Sequence, residues 1–432
     1  MEQTHELTLR RIFLFWAPLA ATWLMMAVEG PFLAAVIARL GKPEFNLAAY
    51  GVAFSFAMLI EAPIIMMMSA ATALAANRAS FLALRRFAYA LNGLITGVMI
   101  VLLLLPVFRF VTETLIGLPH EVASLTHVAV AILLPWPAAI GYRRFYQGIL
   151  VRNNLTRRVA YGTVIRLLSM AVTGLALYAW TRLPGAWVGA AALSAGVTME
   201  AIASRFMARV VVWDLLHGGV TTSATLTTKA IVRFYTPLAL TSLLTMGVNP
   251  LVTFFLGRSR FALESLAVMP VVAALVFAFR AGGIAFQEVG IALLGRKGEG
   301  FGPLRRFGGM LGAATTGVLA AVAFSPMAVG WFHTVSGLSM ELTRFALTPL
   351  RVLCLLPALE VMLSLQRSLL VHARRTTLIS WATALEVLGI LAALAVGIGV
   401  LDLVGAVAAA LALLLGRLLG NLFLAIPALR RA

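Results

Sequence analysis

Phe15–Thr22 reads FWAPLAAT, and Phe234–Thr241 reads FYTPLALT, the same phrase 219 positions later in a chain of 432 residues. Nine residues beyond each copy stands a further proline, Pro31 and Pro250, again 219 apart. LRRF occupies Leu84–Phe87 and again Leu304–Phe307, and ILVR at Ile149–Arg152 is echoed by LLVH at Leu369–His372, both at an offset of 220. An offset this constant over most of each half means one structural unit written twice. The expected division is an N-terminal lobe over 1–216, a polar linker HGGVTTSATLTTK over 217–229, and a C-terminal lobe over 230–432.

Composition says what surrounds that unit. Hydrophobic residues make up 61% of the chain and charged residues 12%, against about 25% charged in a soluble domain. A chain this poor in charge cannot cover a water-facing globule, so its solvent is largely lipid. Apolar runs of about 20 residues suit a bilayer crossing, and charges and turn residues divide the chain into twelve. They lie roughly at 12–38, 47–76, 87–108, 122–142, 159–180, 186–208, 231–256, 263–293, 307–330, 345–366, 377–400 and 403–428. The runs are unbroken rather than alternating, which predicts helices and not barrel strands. The first run is read as a retained span, because no small-residue cleavage site follows it. The expected fold is an all-α polytopic membrane protein, twelve helices in two six-helix lobes. Six spans per half send both halves into the membrane in the same direction, related by a pseudo-twofold axis along the membrane normal.

Lys and Arg set the orientation. Of the 34, 23 fall on the side of the termini, 7 on the other side and 4 inside spans. This places both termini in the cytoplasm and the protein in a cytoplasmic or inner membrane. It also accounts for most of the net charge of +18 without a nucleic-acid partner, since no soluble basic face exists. The single cysteine, Cys354, excludes an internal disulfide. No phosphate-binding loop, His-Glu-x-x-His string or Cys/His cluster occurs, so neither an enzyme nor a resident cofactor or metal is expected. Without a nucleotide-hydrolysing domain, transport would be passive or driven by a proton or sodium gradient.

Charges inside spans are costly and default to a functional reading. Six carboxylates qualify, Glu29, Glu61, Glu200, Glu288, Glu360 and Glu386, with four arginines, Arg166, Arg280, Arg351 and Arg417. Nothing local singles out Glu200, Arg351 or Arg417. Glu29 in VEGPF adjoins Pro31, and Glu61 in IEAPII adjoins Pro63. A helix break beside a carboxylate is a plausible cation or proton site, which makes these two the ion-coupling candidates and Pro31, Pro63 and Pro250 the helix-break candidates. The repeat marks further positions. At an offset of 219 Glu61 corresponds to Arg280, and at 220 Arg166 corresponds to Glu386. These residues, with Glu288 and Glu360, are the substrate or cleft candidates. They either pair across the lobes, form an acidic coupling site and a basic substrate site, or pair within their own lobes.

The twelve spans, the Pro-Leu-Ala string opening each half and ARLG at Ala38–Gly41 resemble the MATE branch of the multidrug, oligosaccharidyl-lipid and polysaccharide (MOP) exporter superfamily. AAYGVAFS at Ala48–Ser55 and GILVRNNLTRRVAYG at Gly148–Gly162 are more similar to its progressive ankylosis branch. The resemblance implies alternating access by rocking lobes, with export coupled to protons or sodium in many members and of organic anions in the ankylosis branch. In the MATE register the span-1 acid falls at Leu33, one turn after Glu29. The expected function is ion-coupled export of a small organic solute, organic anions included, by a monomer in the bilayer. The alternatives are a lipid-linked saccharide flippase of the same superfamily and, from another class, a non-transporting scaffold or an intramembrane enzyme. Six acids against four arginines lean toward the exporter.

Overall fold

The computed structural model describes residues 7–153, 155–217, 226–294, 299–373 and 375–429. Twelve helical spans are long and apolar enough to cross a membrane: Leu9–Ala38, Pro43–Glu61, Arg78–Leu103, His120–Arg152, Arg157–Trp180, Gly185–Met207, Thr228–Gly257, Ala262–Leu293, Phe301–Ala323, Met340–His372, Thr377–Gly399 and Gly405–Ile426. They are numbered 1 to 12. The protein is an all-helical, multi-pass membrane protein.

Proline and glycine interrupt the spans at repeated places. Span 1 breaks at Val28 into Leu9–Ala27 and Glu29–Ala38, and span 7 breaks at Gly247 into Thr228–Met246 and Val248–Gly257. Pro31 and Pro250 follow three residues later in each. Each lacks the N–H that would bond the carbonyl four residues back, so Ala27 and Met246 lose their helical donors. Span 4 breaks after Ile132 and resumes at Pro135, and span 10 breaks after Leu353 and resumes at Leu356. Span 2 departs from the symmetry. Its helix ends at Glu61, Pro63 sits in a run of tight turns over 62–66, and a short helix, Met67–Leu74, follows. Its counterpart, span 8, is one helix.

The described chain forms two compact units, Val36–Gly257 and a split unit of Met1–Ala35 with Arg258–Ala432. The expected linker at 217–229 lies mostly outside the described residues, and the units are not divided there. The sequence repeat and the packing units differ because the first span of each half packs with the other half's helices. In the split unit, Ile12 of span 1 is fully buried among Phe286, Phe307, Leu311 and Val361 of spans 8, 9 and 10. Trp16 donates its indole N–H to the carbonyl of Gly282 at 2.9 Å and meets the Phe307 ring edge to face. In the continuous unit, Tyr235 of span 7 donates to the carbonyl of Pro63 at 2.7 Å and meets the Phe87 ring edge to face. The repeated FWAP and FYTP strings thus dock on the repeated LRRF strings.

Each unit also holds the start of the sixth span of its half, Gly185–Met207 or Gly405–Ile426, with a side chain from elsewhere. The first N–H groups of a helix have no partner within it. Asn46 Oδ1 accepts from the Ala186 N–H at 2.9 Å, and 219 residues on Ser265 Oγ accepts from the Ala406 N–H at 3.0 Å.

Candidate functional site

In the continuous unit the buried charges converge on Glu200 of span 6, which is fully buried. Arg143 of span 4 donates to its Oε2, Gln147 of the same span donates to Oε1 at 3.0 Å, and Nε of Arg166 of span 5 stands 3.6 Å from Oε2. Glu61 lies at the break in span 2, and its carboxylate accepts from the Trp136 indole at 2.5 Å. Trp136 is placed by the break in span 4, one residue after the helix resumes at Pro135. Burying these groups stays tolerable only because the carboxylates are met by charged or N–H donors.

The split unit builds the same kind of cluster with the signs inverted. Glu360 of span 10 accepts from Arg280 of span 8, at 2.9 Å to Nε and 2.5 Å to Nη2. Arg417 of span 12 bridges two acids, standing 3.6 Å from Glu360 and 3.2 Å from Glu386 of span 11. Helix by helix these charges are exchanged, while each fourth span also keeps an arginine, Arg144 or Arg367. The second spans carry Glu61 and Arg280, the fourth Arg143 and Glu360, the fifth Arg166 and Glu386, the sixth Glu200 and Arg417. The second and fifth pairs are matched residue for residue. The other two lie about one turn from the repeat equivalent, which keeps them on the same helix face.

The expected site residues fall as follows. Arg280, Glu360 and Glu386 come together around Arg417. Glu61 meets Trp136 and Arg280 meets Glu360, each within its own unit. Arg166 joins Glu200. Glu29 opens the second segment of span 1, half-buried, beside the break that Pro31 helps to make. Pro63 lies within the interruption of span 2, and Pro250 follows the break in span 7. Glu288 is exposed along span 8 and forms no ion pair among the described residues. Arg351 donates to the Ala323 carbonyl and lies over the Phe324 ring at 5.6 Å. Glu200 and Arg417, which nothing local marked, are the hubs.

Three arginines need a correction. Arg143, Arg144 and Arg367 belong to the sequence-expected loops after spans 4 and 10, but those helices run on to Arg152 and His372. Arg143 is 5% exposed. The signal that could have found them is the apolar and aromatic content of GYRRFYQGIL, in which Phe145, Tyr146, Ile149 and Leu150 are all buried. Added to the four arginines expected inside spans, they make seven against the six expected acids, so the imbalance that leaned toward an exporter is gone. Among the described residues no group of three His, Cys, Asp or Glu side chains converges as a metal site.

No family model matches the sequence, and no curated protein matches it. Solved structures do. An inward-facing multidrug resistance MATE family transporter of the MOP superfamily superposes with a TM-score of 0.74 at 14% identity, over 96% of this chain and 98% of that one. The lipid II flippase MurJ, in an inward closed conformation, gives 0.71 at 14% identity, over 96% of this chain and 87% of that one. A MOP superfamily transporter from Pyrococcus furiosus gives 0.59 at 14% identity, over 98% and 96%. The chain therefore has the twelve-helix fold of the MATE-type transporters.

Proposed function

We propose that the protein is an ion-coupled secondary transporter of the MOP superfamily that moves a small organic solute across a membrane by alternating access. The observation that carries this reading is a fold shared along 96% of the chain with a MATE transporter. The buried ionic clusters fit it, because charge kept inside a bilayer at this density marks solute or ion pathways more often than inert scaffolding. Glu29, beside the break in span 1, and Glu61, beside the break in span 2, are the ion-coupling candidates, with a proton or sodium ion as the coupled species. The distribution of Lys and Arg supports cytoplasmic termini and a cytoplasmic or inner membrane. A monomer suffices, since both units come from one chain.

The test is solute uptake into proteoliposomes under imposed proton or sodium gradients, comparing wild type with Glu29→Gln and Glu61→Gln. Gradient-driven uptake in the wild type, abolished in at least one variant while downhill exchange persists, is the expected result. Wild-type flux indifferent to both gradients overturns ion coupling.

A second reading, a lipid-linked saccharide flippase, is favoured by the likeness to MurJ at a TM-score of 0.71 and by the seven intramembrane arginines. Dithionite quenching of a fluorescent polyprenyl-diphosphate saccharide in the same vesicles separates the two, since a flippase exposes the inner-leaflet probe and a small-solute transporter does not.

A further inference from the structure

Each unit encloses five charges on its second, fourth, fifth and sixth spans, three arginines and two glutamates. They are Glu61, Arg143, Arg144, Arg166 and Glu200 in one unit, and Arg280, Glu360, Arg367, Glu386 and Arg417 in the other. Glu200 serves Arg143 and Arg166, and Glu360 and Glu386 serve Arg280 and Arg417. Arg144 and Arg367, among the described residues, are left without an ion pair, as is Glu61, which Trp136 holds; each unit still has one more arginine than carboxylate. Among the described residues Arg144 has no carboxylate within ion-pair distance. Its hydrogen-bond contact is Met68 Sδ, 3.9 Å from Nη1, and its Nε is buried without a hydrogen-bond partner; Glu61 and Glu200 act on it from beyond ion-pair distance. Arg367 likewise has no carboxylate partner. Its Nη2 reaches Thr383 Oγ1 at 3.4 Å, and its Nε is buried without a partner.

The two surplus cations occupy equivalent ground. Arg144 corresponds to Ser364 and Arg367 to Gln147 at the offset of 220. Residues three apart share a helix face, so in each unit one face of the fourth span offers one arginine and one neutral polar residue. Arg144 lies about 12 Å and Arg367 about 8 Å from the ends of their spans at 1.5 Å per residue. Both residues are half-buried, with the guanidinium Nε of each enclosed. A guanidinium inside an apolar helix bundle needs a counter-charge, and its planar fork suits two oxygens of a carboxylate or phosphate. Arg144 and Arg367 thus stand one turn apart in the repeat register, on the same face of the fourth span of each unit.

Resting on the transporter reading above, we infer that Arg144 and Arg367 are oxyanion subsites, and that the cargo carries a carboxylate or phosphate group that supplies the missing counter-charge. The sequence pattern hides this, because both arginines stand where a cytoplasmic loop is expected.

The test reads binding independently of transport. Thermal unfolding of the purified, detergent-solubilised protein is followed with inorganic phosphate, succinate, chloride or tetraphenylphosphonium, in wild type, Arg144→Gln, Arg367→Gln and the two corresponding lysine variants. The expected result is a saturable upward shift with phosphate or succinate. Apparent affinity should fall at least about tenfold in each Gln variant and recover in part with Lys. Phosphate alone points to a phosphorylated cargo and succinate alone to a carboxylate. General salting effects of these anions appear equally in all variants and are subtracted. The inference fails if neither oxyanion gives a shift that depends on the two arginines, if chloride matches them, or if only tetraphenylphosphonium binds. Binding without any transport in proteoliposomes would instead overturn the transporter reading and leave the subsites standing. Tetraphenylphosphonium transport without oxyanion binding would do the reverse.

Discussion

The indole N–H of Trp16 meets the carbonyl of Gly282 at 2.9 Å, and their counterparts at the 219 offset, Tyr235 after Trp16 and Pro63 before Gly282, make the same kind of bond. The Tyr235 hydroxyl donates to the Pro63 carbonyl at 2.7 Å. Two different aromatic donors, an indole and a phenol, do one task in the two units. A β-carbon on Gly282 would stand 3.0 Å from the Trp16 ring, so the close approach depends on glycine there.

Replacing Trp16 or Tyr235 by Phe should therefore remove one hydrogen bond and keep most of the ring packing. The expected loss is about 1 kcal/mol each, measured as a lower midpoint of thermal unfolding in detergent. The two losses should add, because the residues share no partner. Trp16→Ala also uncovers Phe307 and should cost about 3–5 kcal/mol.

Glu200→Leu strands Arg143 and Arg166 at once. Breaking a buried ion pair from one side costs about 3–5 kcal/mol, so the variant should lose most of its folded yield by size-exclusion chromatography. In the split unit, Arg280→Met alone should be similarly damaging. Arg280→Met with Glu360→Leu should recover part of the loss, although Arg417 then keeps only Glu386. If the double variant is as unstable as the sum of its parts, the two residues do not act as a pair.

Gly148→Ala and Gly93→Ala separate packing from helix propensity. A β-carbon at Gly148 would stand 2.5 Å from the backbone oxygen of Met68, whereas one at Gly93 meets nothing within 4 Å. Gly148→Ala should push the two halves of the unit's helix contact apart and lower the unfolding midpoint by the equivalent of about 1–3 kcal/mol. Gly93→Ala should be neutral or raise stability by about 0.5–1 kcal/mol.

Pro31→Ala and Pro250→Ala return an N–H to the carbonyls of Ala27 and Met246. Each variant should fold at least as well as the wild type and straighten its span. If the breaks serve as hinges, solute turnover falls while binding persists. Turnover equal to wild type in both variants would make the breaks passive.

The twelve spans were readable because lipid demands long apolar runs and loops collect charge. The same rule concealed Arg143, Arg144 and Arg367. A helix may carry arginines past the point where a charge count would end it when buried aromatics such as Phe145 and Tyr146 continue the apolar face. Glu61, Arg166, Arg280 and Glu386 stood out because the repeat was broken in sign there. Glu200 and Arg417 did not, because their opposite numbers are displaced by one turn and no fixed offset aligns them. The packing of span 1 against Phe286 and Phe307 was beyond reach, since a repeat in sequence says which segments are alike and not which of them touch.

The mixed ancestry of the split unit sets an order on its assembly in the cell. Span 1 leaves the ribosome well before spans 8, 9 and 10, whose Phe286, Phe307 and Val361 cover Ile12. Val36–Gly257 can close as soon as it is made, while span 1 waits in the bilayer, its aromatic face uncovered, until spans 8, 9 and 10 have been translated. A nascent chain stalled before span 8 would hold one finished bundle and one orphan, the species that membrane quality control is built to recognise.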